Sequence, residues 1–137
     1  MRIVFAALLG AALACGSPTE PSEPSMEFEA GVVFGIPTLP TTAKPEQGEI
    51  LVTGVFQTPT TGYDLSGALS LPGLRALRID VEAHGTDPAF PFPTQNYYRA
   101  RIKDLTSGDY DLSVYHKDRN RPDVPSVRVY HQLIRVP

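Results

Sequence analysis

Leu105-Thr106-Ser107-Gly108-Asp109-Tyr110-Asp111-Leu112 joins two stretches of strict alternation. Before it, Tyr98, Ala100 and Ile102 share one side while Arg99, Arg101 and Lys103 share the other. After it, Tyr110, Leu112 and Val114 alternate with Asp111, Ser113 and Tyr115. Period two is the pattern of a half-buried strand, and the Ser-Gly-Asp centre is turn chemistry. The octapeptide is therefore a connection between two strands, each with one apolar face.

The same pattern extends in both directions. Upstream, Leu77, Ile79, Val81 and Ala83 oppose Arg78, Asp80 and Glu82, and Pro72-Gly73 turns the chain before them. Tyr63, Leu65, Leu69 and Leu71 share one side, opposite Asp64, Ser66 and Ser70, after a turn at Pro59-Thr60-Thr61-Gly62. Glu49 to Thr58 is apolar on parts of both faces, as a central strand with two covered faces is. Phe28 and Val32 to Phe34 form a first strand, with Gly31 read as a bulge. Ile36 to Lys44, interrupted by Pro37 and Pro40, reads as a loop or a broken edge segment. Downstream, a polar loop from Lys117 to Ser126 leads to a last strand, Val127 to Val136. This makes about seven strands separated by turn signals, with no 3.6-residue periodicity after the N-terminal segment. The fold class is all-β, either a closed barrel or an antiparallel immunoglobulin-like sandwich. Leu105 to Tyr110 resembles the Leu-x-x-Gly-x-Tyr corner of fibronectin-III-like sandwiches. The resemblance implies that the Tyr110 hydroxyl returns to nearby backbone and locks the crossing between sheets.

The N-terminus is of a different kind. Met1-Arg2 precedes an uncharged run from Ile3 to Ala14, too short for the roughly twenty residues of a membrane span. Ala12-Leu13-Ala14-Cys15 follows, with the only cysteine of the chain. The pattern resembles a bacterial lipoprotein signal ending in a lipobox, with Ala12 where Leu is usual; this implies lipid on Cys15 and a location in the cell envelope, at the outer membrane if the host is a diderm. The alternative is an ordinary signal peptide cut near Ala14. Acylation explains both the solitude of the thiol and its position, since an unpaired thiol is a liability in an exported protein. Gly16 to Ser25, with three prolines, cannot bury apolar surface and reads as a tether. The organisation is thus signal peptide 1–14, lipidated Cys15 and linker 15–25, and sandwich 26–137. Overall the layout resembles small bacterial lipoproteins carrying one immunoglobulin-like domain.

Composition limits the function classes. With Arg2 removed, 11 basic residues face 15 acidic ones, a balance unlike that of a nucleic-acid binder. Fourteen prolines and eleven glycines in 137 residues favour turns over helix. The basic bias after residue 97 reads as the solvated face of a sheet. His84, His116 and His131 lack the spacing of a zinc site, although His116 and His131 become neighbours if the last two strands pair. Asp118 to Asp123 lacks the central glycine and distal glutamate of a calcium loop. No Gly-x-Ser-x-Gly elbow occurs, so the expectation is no enzyme, no metal and no cofactor.

Two surfaces remain as candidates. Phe90 and Phe92, with Tyr97, Tyr115, Arg99 and Arg101, could line a binding face for a protein partner, or pack back over the sheet. The segment Pro59-Thr60-Thr61-Gly62-Tyr63 resembles the Asn-Pro-Thr-Thr-Gly-Tyr loop of chagasin-like cysteine-protease inhibitors, which are also immunoglobulin-like sandwiches. Thr58 stands where that family has Asn, Leu65 where it has Trp, and Asp123 where Trp follows its Arg-Pro pair. The resemblance implies that Thr60, Thr61 and Gly62 enter a protease cleft beside Tyr63 and Arg121; plain turn chemistry accounts for the same residues.

Overall fold

The computed structural model describes residues 22–33, 38–86 and 90–137. The signal peptide, Cys15 and Phe34 lie outside the described residues. The described chain is all-β, with eight strands: β1 (Ser25–Val33), β2 (Thr42–Glu46), β3 (Glu49–Thr58), β4 (Tyr63–Gly73), β5 (Ala76–Gly85), β6 (Thr94–Lys103), β7 (Gly108–Asp118) and β8 (Val127–Val136). They form two four-stranded sheets, ordered β1-β6-β3-β2 and β4-β5-β7-β8. The sheets pack face to face as a sandwich, with β1 over β4 and β2 over β8 at the two seams.

The alternation sets the layers. Ile50, Val52 and Phe56 of β3 and Tyr98, Ala100 and Ile102 of β6 are buried from one side. Leu77, Ile79, Val81 and Ala83 of β5, with Tyr110, Leu112 and Val114 of β7, meet them from the other. The outward residues of the first sheet form cross-strand ion pairs, such as Arg101 with Glu49 at 3.0 Å and Lys103 with Glu27. Burying apolar side chains on one parity while charged ones stay in water is what makes a period-two sequence a sheet.

The structure departs from the sequence reading at four points. The β4–β5 turn is at Leu74-Arg75, because β4 runs on through Pro72 to Gly73. The extra strand, β2, falls at the end of the segment read as loop or broken edge. It is an edge strand and carries Pro45, whose missing N–H is tolerated only where no neighbour needs it. Gly31 pairs with Tyr97 in unbroken register, so there is no bulge there; the irregularities lie at Ser70/Gly73 and Val114/Tyr115. Finally, the sandwich is not antiparallel throughout. β5 and β7 pair in parallel, Leu77 beside Leu112 and Val81 beside His116. The cause is connectivity: β6 crosses to the other sheet between them, so the chain returns to β5 in its original direction.

The corner behaves as its sequence implies. The Tyr110 hydroxyl donates to the Thr106 carbonyl at 3.0 Å. A second clamp comes from the β4–β5 turn, where Arg75 adopts a left-handed φ of 56°. Its guanidinium donates to Ser107 O at 3.1 Å and to Thr106 Oγ1 at 3.3 Å, and lies 5.1 Å from the Tyr110 ring centre.

Strand directions give the molecule two unlike ends. The start of β1, the β2–β3 and β4–β5 turns and the β6–β7 corner share one end, where Ser25 pairs with Lys103. The β3–β4, β5–β6 and β7–β8 loops share the other, where Thr58 pairs with Thr94 and Tyr63 with Gly85.

Candidate functional site

The loop end is assembled from three connections, each closed by turn-forming residues. In the β3–β4 connection, Gly62 takes a φ of 74°, a conformation that favours glycine. The Thr58 hydroxyl donates to Thr60 O at 2.8 Å, and Asn96 Nδ2 donates to Thr58 Oγ1 at 3.0 Å and to Phe56 O at 3.2 Å. Thr58 and Asn96 are almost fully buried, so the turn is fastened from below by satisfied polar groups.

The connections are also tied to one another. The Thr61 N–H donates to Phe90 O at 3.0 Å, and the Phe90 N–H returns a bond to Thr61 Oγ1 at 2.8 Å. The Thr86 hydroxyl donates to Gly62 O at 2.8 Å. The Gly85 N–H donates to Asn120 Oδ1 at 2.9 Å, which joins the β5–β6 loop to the β7–β8 loop. A β-carbon at Gly85 would overlap the Asn120 amide. Within the last loop, the Asn120 N–H donates to Asp118 Oδ1 at 2.9 Å and the Arg121 N–H to Asp118 O at 3.2 Å.

This network places the sequence candidates. Thr60, Thr61, Gly62 and Tyr63 are half-buried rather than projecting. Tyr63 is within electrostatic reach of both Asp118 and Arg121; burial and the Asp118 carboxylate raise its phenol, while a Thr60 hydrogen bond and the Arg121 charge oppose them. Arg121 is exposed. Phe90 and Phe92 do not fold back: they stand 60% and 65% exposed on a loop whose backbone is pinned to Thr61. Tyr97 and Tyr115 are half-buried within β6 and β7, with Arg78 stacked 4.1 Å over the Tyr115 ring. Among the described residues, the exposed side chains of the loop end include Phe90, Phe92 and Arg121, with Arg119 and Asp123 on the same loop as Arg121. Asn120 escaped the sequence reading because a single side-chain-to-backbone bond leaves no periodic trace. Asn96 left one, as a polar residue on the inward parity of β6.

The histidines separate. His131 lies on the outer face, 2.7 Å from Asp111 Oδ1. His116 points inward, stacked on Phe56 at 4.6 Å, with Nε2 2.9 Å from the Tyr98 hydroxyl. That hydroxyl is 3.2 Å from Thr41 Oγ1, so a chain of polar groups crosses from β2's approach through β6 to β7. Burial pushes the Tyr98 phenol up to about 12 and His116 down to about 4. The pair is a polar bridge between the two sheets. No group of three or more His, Cys, Asp or Glu gathers among the described residues.

No family model, no curated protein and no solved structure matches this chain, so the loop end is to be understood from its own residues.

Proposed function

We propose that the chain is a lipid-anchored protein of the bacterial cell envelope whose sandwich is a non-enzymatic binding module. In this reading Cys15 carries the lipid and the loop end carries the partner surface. The supporting observation is polarity: the linker enters at the corner end, while Phe90, Phe92 and Arg121 stand at the opposite end. A tethered module arranged in this way presents its loops away from the membrane. Phenylalanines on a pinned loop have few rotatable bonds left to fix on binding, and arginine adds a planar charged donor, which suits the set to anchor a protein contact. A photo-crosslinking residue at position 92 in cells should give discrete protein adducts that Arg121→Ala weakens. Adducts no different from those of the same probe at Ser113, on the outer sheet face, would sink the proposal.

The second reading is inhibition of papain-like cysteine proteases through Thr60, Thr61, Gly62 and Tyr63, with Arg121 alongside. The adjacency of the three loops favours it. It predicts inhibition of papain at micromolar protein, lost in Thr61→Ala/Gly62→Ala; absence of inhibition by the folded parent chain ends this reading.

A further inference from the structure

We propose that the β4–β5 hairpin tip, Leu71 to Arg75, is a membrane-contact surface that seats on the bilayer holding the anchor. The inference rests on the reading of Cys15 as lipidated, and adds an orientation for the domain.

Leu74 is 98% exposed and Leu71 46% exposed, with Pro72 and Gly73 between them. A leucine at the summit of a hairpin gains nothing for the fold, because its neighbours cannot cover it. Fraying does not explain the exposure either. Arg75 is bound to the corner through its guanidinium, and its carbonyl accepts from the Asp111 N–H at 2.9 Å. The tip is thus a rigid apolar projection.

Its position supplies the occupant. Ser22, Glu23 and Pro24, the last residues of the linker, line the same groove as Leu71, Leu74 and Leu77. The chain therefore leaves the domain beside the tip. Six residues lie between Cys15 and Ser22, and the seven Cα–Cα steps span at most about 25 Å when fully extended. A lipid on Cys15 keeps the tip within that distance of the membrane. A second copy is a poor occupant, since two leucines and a proline offer far less than the roughly 1,200 Å² that a specific interface buries. The charged groups lining the groove are Glu23, Asp104 and Arg75, and the Arg75 guanidinium is already engaged by Ser107 and Thr106, so contact would depend on apolar insertion and not on attraction to anionic headgroups.

The test exploits the absence of tryptophan from the chain. The full acylated protein, with Leu74→Trp as its single tryptophan, is reconstituted into vesicles of phosphatidylethanolamine and phosphatidylglycerol with brominated acyl chains. The expected result is quenched, blue-shifted emission at position 74 and none for Phe92→Trp. Adding Leu71→Asp to Leu74→Trp should lower the inserted-to-free ratio roughly tenfold. In the parent chain, amide exchange of residues 71–75 should slow on vesicles. Unquenched emission at position 74 with unchanged exchange, on protein whose N-terminal peptide has the mass of an acylated cysteine, overturns the contact but leaves the anchor standing. An unmodified Cys15 in the cell-derived protein removes the anchor and the contact together. Quenching that disappears at high salt also overturns the proposal, because it would assign the contact to headgroup charge.

Discussion

At the scale of single residues, His116 gives the fold a defined response to acid. Its ring is packed against Phe56 and Tyr98, and burial lowers its pKa from 6.5 to about 4. A histidine harder to protonate when folded contributes stability that is complete above about pH 6.5 and declines as pH falls toward 4. Over that window the unfolded chain takes up a proton that the folded one refuses. The total decline is on the order of 3 kcal/mol. Urea unfolding at pH 7 and pH 4 should show it, and His116→Phe should reduce the difference by about that amount. An unchanged pH dependence in that variant would show that other groups are responsible. Gly54 is the complementary case: a β-carbon there would overlap the Tyr98 hydroxyl, so Gly54→Ala displaces Tyr98 from His116 and costs about 1–3 kcal/mol. The signature of that mechanism is a favourable coupling in Gly54→Ala/Tyr98→Leu, whose shorter side chain removes both the hydroxyl and the Cζ that the new β-carbon meets, measured as a double-mutant cycle.

At the scale of elements, the β6–β7 corner is held by two devices of different legibility. The tyrosine corner could be read in Leu105 to Tyr110, because its whole mechanism lies within one turn. Tyr110→Phe should cost about 1–2 kcal/mol, because the hydroxyl is bonded to both Thr106 O and Thr106 Oγ1. The Arg75 clamp could not be read, since it reaches more than thirty residues along the chain to Thr106 and Ser107. Arg75→Ala removes the clamp and leaves a β-carbon in a left-handed conformation. Arg75→Gly removes only the clamp, so it should be less destabilising than the alanine variant by about 1 kcal/mol in thermal unfolding. Equal losses would mean that the φ of 56° carries no strain. The same distinction explains the strands. Leu77 to Ala83 and Tyr98 to Ile102 declared themselves by parity because one face is buried along their whole length. β2 did not, as it has five residues and a proline, and is held mainly by backbone bonds to β3. The loop end was legible only in part: Thr60 to Tyr63 and Arg121 could be named as candidates, but the bonds that make them one surface run between loops distant in sequence.

At the scale of the molecule, the parallel pairing of β5 with β7 governs cooperativity. The second sheet is complete only when β7 lies beside β5, yet β6 intervenes in the chain and belongs to the first sheet. The first sheet in turn needs β6 between β1 and β3. The chain thus passes back and forth between the layers, and the Tyr98–His116 contact joins their inner faces. The sandwich should therefore unfold as one unit despite having two separable-looking layers. Its contacts are mostly non-local, so refolding should fall in the range of about milliseconds to seconds typical of such topologies. A tryptophan at Tyr97 reports the first sheet and one at Tyr115 the second. Both should give the same urea midpoint as far-ultraviolet circular dichroism. Leu77→Ala, which empties a fully enclosed site in β5, should lower all three midpoints together by the equivalent of about 2–5 kcal/mol. If the position-115 midpoint fell while that at position 97 stayed, the layers would be independent and the crossing of β6 would not couple them.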